Sequence, residues 1–303
     1  MKARSDLNSV STPSFETNVL FWADCLKVLN SLPENFVDMV YVDPPFFSQR
    51  KYGMLKKSRQ IEQGFEDIWR GGITSYLVWM KPRLRECHRV LKNSGSVYLH
   101  CNWFANAHLR LLMDEIFSSG IRCEIIWDKG FRGTERRRNW QQSHDTIFFY
   151  TKTDDYVWND QHQKYADSGL SRYNKQDKKG KRFARIKRRH SDGTVYYGKT
   201  YPNSLGKRIN DILRVPVLAA TSKERNGYPT QKPEALLEYF IQASTNPCDL
   251  VLDPMCGSGT TIATSHRLGR KWIGIDSSRI AWELATDRMQ KISGSTDFRA
   301  VKF

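Results

Sequence analysis

Short runs of β-branched and aromatic residues alternate along this chain with stretches whose apolar positions recur every three to four residues. The runs Phe36–Val42, Ser96–Cys101, Glu124–Trp127, Asp145–Thr151, Leu250–Leu252 and Lys271–Ile275 predict strands. Several are apolar almost throughout, as parallel strands are when helices cover both faces. Pro233–Ser244 carries Leu236, Leu237, Phe240 and Ile241 on one face and predicts a helix. Thr260–Leu268 predicts another, stopped by Gly269. Strands and helices in alternation imply an α/β fold with a doubly wound, mostly parallel sheet.

The alternation breaks near Lys152 and resumes near Arg225. Between them the chain is polar, rich in tyrosine and basic, with Arg172, Lys178, Lys179, Arg182, Lys187, Arg188 and Arg189 in one short run whose only acid is Asp177. Four segments follow: an arm over 1–19, a first core half over 20–151, an insert over 152–224 and a second core half over 225–303. The aromatics Tyr165, Tyr173, Phe183, Tyr196, Tyr197 and Tyr201, interleaved with the charges, set the insert apart from a merely solvated basic loop.

Charge sharpens the picture. The 303 residues hold 48 Lys+Arg against 32 Asp+Glu, a net charge of +16 that favours a polyanionic partner, nucleic acid ahead of membrane. No apolar run is long enough to span a bilayer, and the first residues lack the apolar stretch of a signal peptide. The 6 cysteines form no C-x-x-C pair, so neither a zinc site nor a disulfide framework is expected, and the reading is a reduced, cytoplasmic compartment. His88, His100 and His144 have no metal-like spacing and are taken as structural, and Phe65–Trp69 as packing.

Two motifs carry chemistry. Leu250–Thr261 reads as strand, glycine turn and helix start, in which Gly257 and Gly259 let backbone approach a ligand at a helix N-terminus. Ile262 stands where a dinucleotide fingerprint wants its third glycine, and no lysine follows Gly259 as a P-loop requires. Asp253 would repel a pyrophosphate and attract an ammonium group, and Asp276, at the end of the next strand, is placed to accept from ribose hydroxyls. An amino-acid-bearing, unphosphorylated nucleoside such as S-adenosylmethionine fits. The second motif is Asp43-Pro44-Pro45-Phe46, directly after a strand, where two prolines force a rigid extended turn. An exocyclic amine is a poor nucleophile because its lone pair is delocalised into the ring. The Asp43 carboxylate and Pro44 carbonyl can accept its two N–H bonds, while Phe46 stacks on the base.

In this order the motifs resemble the β-class amino-methyltransferases of DNA: catalytic motif first, target-recognition region second, cofactor loop last. Ala23–Leu26, Cys87–Lys92, Ser143–Asp145 and Tyr228–Glu234 extend the likeness over most of the chain. The resemblance implies a Rossmann-like methyltransferase fold with circularly permuted motifs and S-adenosylmethionine as cofactor. It implies that Asp43, Pro44, Pro45 and Phe46 hold the target base. Asp253, Pro254, Met255, Gly257, Gly259, Thr260 and Thr261 would surround the methionine end, Asp276 the ribose, and Asp24 and Cys25 the adenine; Thr230 and Lys232 would close over the carboxylate. Phe46 stands where the family more often has tyrosine, and Met255 where it commonly has phenylalanine.

Asp43 favours N6 of adenine, because relatives acting on cytosine N4 usually carry serine there and glutamine-methylating ones asparagine. The implied partner is double-stranded DNA, contacted by the cations of the insert, with the base flipped out of the helix. A cognate restriction endonuclease and a homodimer are further partners that the sequence leaves open. The rival from another class is a DNA-binding protein with a degenerate cofactor site; two intact motifs argue against it.

Overall fold

The computed structural model describes residues 16–55, 61–130, 138, 140–293 and 297–303, so most of the expected arm lies outside the described residues. In chain order the first half of the core comprises β1 (Val19–Trp22), α1 (Cys25–Ser31), β2 (Val37–Val42), the hairpin β3 (Arg50–Leu55) and β4 (Ile61–Asp67), α2 (Gly72–Val90), β5 (Leu91–Cys101), α3 (Asn106–Ile116), β6 (Ile121–Asp128) and β7 (His144–Thr151). There follow β8 (His162–Gln163), α4 (Asp167–Leu170), β9 (Lys175–Gln176), β10 (Arg182–Arg189), β11 (Val195–Thr200) and β12 (Lys207–Arg208). The chain closes with β13 (Ile212–Arg214), α5 (Glu234–Ser244), β14 (Leu250–Asp253), α6 (Thr260–Arg267), β15 (Lys271–Asp276), α7 (Arg279–Ser293) and β16 (Arg299–Lys302).

Among the described residues nine strands form one sheet in the order β13-β6-β7-β5-β2-β14-β15-β1-β16. Every neighbouring pair is parallel except the two that involve β7. The central strands are buried along their whole length in β2 and β14, which explains their continuous apolar sequence. The register of β14 on β2, with Val251 opposite Met39 and Leu252 opposite Val40, brings segments two hundred residues apart to one carboxyl edge. Asp43, Asp253 and Asp276 all lie at that edge, where open α/β sheets bind ligands.

All six expected strands are present, several of them longer than their apolar runs. The sheet adds β1, β13 and β16, short strands outside the strand prediction; β16 is mostly exposed and carries Arg299 and Lys302. Among the described residues no helix is long and apolar enough to cross a membrane.

Asn159–Asp211 packs as a separate compact unit, narrower than the expected insert. The flanks belong to the larger unit because they pair with it: Ile212 to Arg214 ladder along β6, and Trp127 Nε1 donates to the Val215 carbonyl at 2.7 Å. Lys152 Nζ likewise donates to the Leu91 carbonyl at 2.6 Å. Within the small unit β9, β10 and β11 form one sheet, and β8 and β12 another. Its apolar centre is aromatic: Tyr173 and Phe183 are buried, with Tyr165 edge-on to Tyr173 and Lys199 Nζ 4.8 Å from the Phe183 ring.

Candidate active site

The strand β2 delivers Asp43 to the carboxyl edge, and the two prolines that follow hold the chain extended. The turn beyond them bends through Phe47 and Gln49, both in the left-handed region at φ 59° and 57°. Such residues persist only where their surroundings hold them, and Asp67 does so here. Its buried carboxylate accepts from Phe47 N at 3.0 Å, Ser48 N at 2.7 Å, Ser48 Oγ at 2.6 Å and Trp69 Nε1 at 2.8 Å. Tyr76 Oη donates to the Pro45 carbonyl at 2.8 Å from the other side. The segment Phe65–Trp69, read as packing, thus supplies through Asp67 and Trp69 the clamp of this loop; the Phe65 side chain lies outside the described residues. Asp67→Ala is expected to slow methyl transfer about a hundredfold, because a loop displaced by an ångström misaligns the groups it carries. Cofactor affinity, read by calorimetry, should stay near the parent's.

Asp43 itself is asymmetric. Lys232 Nζ pairs with its Oδ2, while Oδ1 is buried with no hydrogen-bond partner among the described residues. Lys232, expected over a carboxylate of the cofactor, therefore sits on Asp43 and 5.0 Å from the Phe46 ring centre. Beneath them lies a buried network outside the sequence-based expectation. His100 is 4.0 Å from Asp43 Oδ1, its ring is 5.4 Å from that of Phe46, its Nδ1 meets Tyr41 Oη at 2.7 Å and its Nε2 meets Asp145 at 3.4 Å. Burial and the Lys232 charge push His100 below its ordinary range, so the ring is neutral at neutral pH. Burial alone would raise Asp145, but the His100 contact and Lys129, at 2.8 Å, hold it well below the usual carboxylate range. Burial keeps Tyr41 protonated. One tautomer satisfies all three: Tyr41 donates to Nδ1 and Nε2–H donates to Asp145. His100 thus packs, fully buried, against the Asp43–Phe46 motif.

The glycine turn leads from β14 into α6. Gly257 and Gly259 have φ of 50° and 77°, conformations costly for other residues. The reason for glycine at 259 differs from the expectation of ligand approach: a Cβ there would come 2.9 Å from the Ala285 Cβ of α7. A Cβ at Gly257 would meet the buried Tyr228 ring at 3.1 Å. Asp253 accepts from Met255 N at 3.1 Å, and Asp276 from Gly257 N and Ser278 N, each at 2.8 Å. Burial drives both acids up, Asp253 to about 7 and Asp276 to about 6. Thr260 Oγ1 accepts from Arg288 at 2.7 Å.

Asp24 caps α1 through Leu26 N at 2.8 Å and pairs with Arg83 at 2.7 Å. Arg83 is 6% exposed and lies 3.9 Å over the Trp79 ring. It was open to sequence reasoning as a charge within the apolar stripe Tyr76, Met80, Leu84, Cys87 of α2. Cys25 is buried, and burial pushes its thiol up to about 11, which makes it an inert wall.

A cavity of about 340 Å³ gathers these residues. Asp43, Pro44, Pro45 and Phe46 border it, as do Asp24, Cys25, Thr230, Lys232, Pro254, Met255 and the other expected cofactor residues; Gly259 alone does not. Sequence reasoning missed Tyr52, Trp79 and Arg83 on its wall. The expected DNA-contacting residues are all exposed and lie in the small unit: Arg172 against the Tyr173 ring, Lys178 and Lys179 in the turn before β10, and Arg182, Lys187, Arg188 and Arg189 on β10 itself.

Sheet order, permuted motifs and a polar cavity at the carboxyl edge define a Rossmann-like methyltransferase. The DNA methylase family profile for N6 and N4 amino-methyltransferases matches residues 37–287, and the chain belongs to that family. It is 30% identical over 262 residues to the DNA adenine methyltransferase YhdJ of Escherichia coli K12, covering 86% of this chain and 79% of that one. To the type II methyltransferase M.HpaI of Haemophilus parainfluenzae it is 27% identical over 270 residues, 89% and 73% of the two chains. Among solved structures, TTHA0409 of Thermus thermophilus, complexed with S-adenosyl-L-methionine, superposes with a TM-score of 0.59 at 18% identity over 94% of this chain and 98% of that one. The cytosine-N4-specific PvuII DNA methyltransferase gives 0.57 at 16% identity over 94% and 95%.

Proposed function

We propose that this DNA methyltransferase modifies N6 of adenine in duplex DNA, with the target base turned out of the helix into the cavity. The methyl donor is S-adenosylmethionine. The observation that carries the reading is the buried Oδ1 of Asp43, without a hydrogen-bond partner among the described residues, on a cavity that Phe46, Asp253 and Asp276 also line. Such a donor set suits a cationic amino-acid nucleoside on one side and an N–H donor on the other. Asp253 would hold the ammonium group, Asp276 the ribose, and Asp24 and Cys25 would flank the adenine. The cofactor supplies a methyl group activated by its sulfonium. Asp43 Oδ1 and the Pro44 carbonyl take the two N–H bonds of the target amine and turn its lone pair toward that methyl. As the C–N bond forms and the methyl–sulfur bond breaks, leaving the cofactor as a neutral thioether, the proton released from the amine would leave along the Asp43 hydrogen bond. Phe46 stacks on the extruded base, and a base cannot be reached while it stays in the duplex. Cations of the small unit, Lys178 and Lys179 among them, hold phosphates. The setting is cytoplasmic, and a cognate endonuclease and a homodimer are compatible with the reading.

Asp43, in place of the serine usual among cytosine-N4 relatives, favours adenine, and so does the likeness to YhdJ. The test is direct. Incubating the chain with radiolabelled S-adenosylmethionine and a duplex library, then digesting to nucleosides, should place the label in N6-methyladenine. Label in N4-methylcytosine would overturn the base and keep the chemistry; no label would overturn the activity.

A further inference from the structure

The small unit holds one element that its own packing leaves unexplained. β10 and β11 form an antiparallel ribbon from the pair Ala184–Thr200 to the pair Arg189–Val195, about 20 Å long at the usual rise per residue. It is closed at its tip by a turn in which His190 N donates to the Thr194 carbonyl at 2.8 Å. Phe183 anchors its root in the aromatic centre, and beyond that the ribbon runs exposed. A bare two-stranded ribbon is at best marginally stable in water. Neither strand contains an acid.

Its two faces differ. Side-chain alternation puts Arg185, Lys187 and Arg189 of β10 on the same face as Lys199, Tyr197 and Val195 of β11. All six are exposed, Tyr197 at 65%. The opposite face carries a single strand cation, Arg188, which lies across Gly198, where an added Cβ would come 3.0 Å from its Nε; Ile186 and Tyr196 share that face, and His190 packs on the Tyr196 ring at 4.2 Å. One face therefore carries one strand cation, and the other presents four together with Tyr197.

We propose that this ribbon enters the major groove of the substrate duplex and that its Arg185–Lys187–Tyr197 face reads the base sequence, so that target specificity is set there. The major groove admits a two-stranded ribbon, and the charge selects a polyanion. Arginine and lysine recognise guanine through O6 and N7, while the tyrosine ring offers apolar contact to a thymine methyl. Lys178 and Lys179, in the turn at the ribbon's root, carry no such alternation and fit phosphates instead. The assignment rests on the functional reading above.

The test uses the full chain and a randomised duplex library, with methylated sites read by methylation-sensitive sequencing. The parent should yield a defined motif. Arg185→Ala, Lys187→Ala and Tyr197→Ala should each degrade that motif at one or two positions, lowering the preference for the parent base about 5- to 150-fold, the equivalent of 1–3 kcal/mol. Ile186→Thr, on the opposite face, should leave the motif as it is. Lys178→Ala and Lys179→Ala should weaken methylation of every sequence alike and reduce the salt slope by about one. Calorimetric binding of S-adenosylmethionine at the parent's affinity separates these effects from misfolding. A parent motif retained by all three face variants would overturn the assignment alone. A parent that methylates no duplex would overturn the functional reading, and the assignment with it.

Discussion

Replacing Asp43 by alanine is expected to lower methyl transfer about a hundred- to a thousandfold, the range seen when one hydrogen-bonding partner of a transition state is removed. The variant loses the acceptor that turns the amine lone pair, and it keeps the glycine turn, Asp253 and Asp276. S-adenosylmethionine should therefore bind it with nearly the parent's affinity. The ion pair with Lys232 complicates the variant, because both side chains are largely buried. Removing one partner of a buried pair leaves an uncompensated charge and costs about 3–5 kcal/mol of stability. Asp43→Ala should accordingly melt below the parent. The double variant Asp43→Ala, Lys232→Met should recover much of that stability without recovering activity. Near-parent turnover by the single variant would remove Asp43 from the chemistry. An inactive but fully restored double variant would assign the lost stability to the stranded ammonium.

The contact between Asp43 and Lys232 shows where sequence reading reached and where it stopped. Both residues were legible as site members, because each lies in a short motif whose chemistry is local: two prolines after a strand, a lysine before a helix start. Their pairing was not, since 189 positions separate them and it is the packing of α5, through Phe240, on Tyr41 of β2 and Tyr98 of β5 that brings the two segments together. His100 illustrates the same limit. A histidine inside an apolar strand reads as core, and its place below Phe46 depends on the register of β5 against β7 and β2. Arg83 left a weak signal, a charge within an apolar helical stripe. Asp67 left none, because what it does depends on the positive φ of Phe47 and Gln49, which the sequence does not mark with glycine. Gly259 was found for the right turn and the wrong contact: it is the approach of α7 that forbids a side chain. The strands of the main sheet were legible where burial on both faces made them apolar. The edge strands β13 and β16 were not, being short and largely wet.

The two acids of the cofactor side should make ligand binding depend on pH. Burial raises Asp253 from 3.8 to about 7 and Asp276 from 3.8 to about 6. In the unliganded fold each holds its proton more tightly than in the unfolded chain. The stability this confers is fully present below about pH 4 and is lost as pH rises through 6 and 7. A ligand with its ammonium group on Asp253 and its ribose hydroxyls on Asp276 acts in the opposite sense, because both contacts favour the ionised carboxylates and so expel the protons. If S-adenosylmethionine binds only when both are ionised, its dissociation constant should fall about tenfold between pH 6 and pH 7 and then level off. Asp253→Asn should bind more weakly and should reduce that dependence to about twofold, the part left to Asp276. Calorimetry in buffers of different ionisation enthalpy counts the released protons directly: more than one per cofactor at pH 6 for the parent, fewer than one for the variant. A dissociation constant that is flat from pH 6 to pH 7 would mean that neither acid meets the cofactor in its ionised form, and would move the ammonium group away from Asp253.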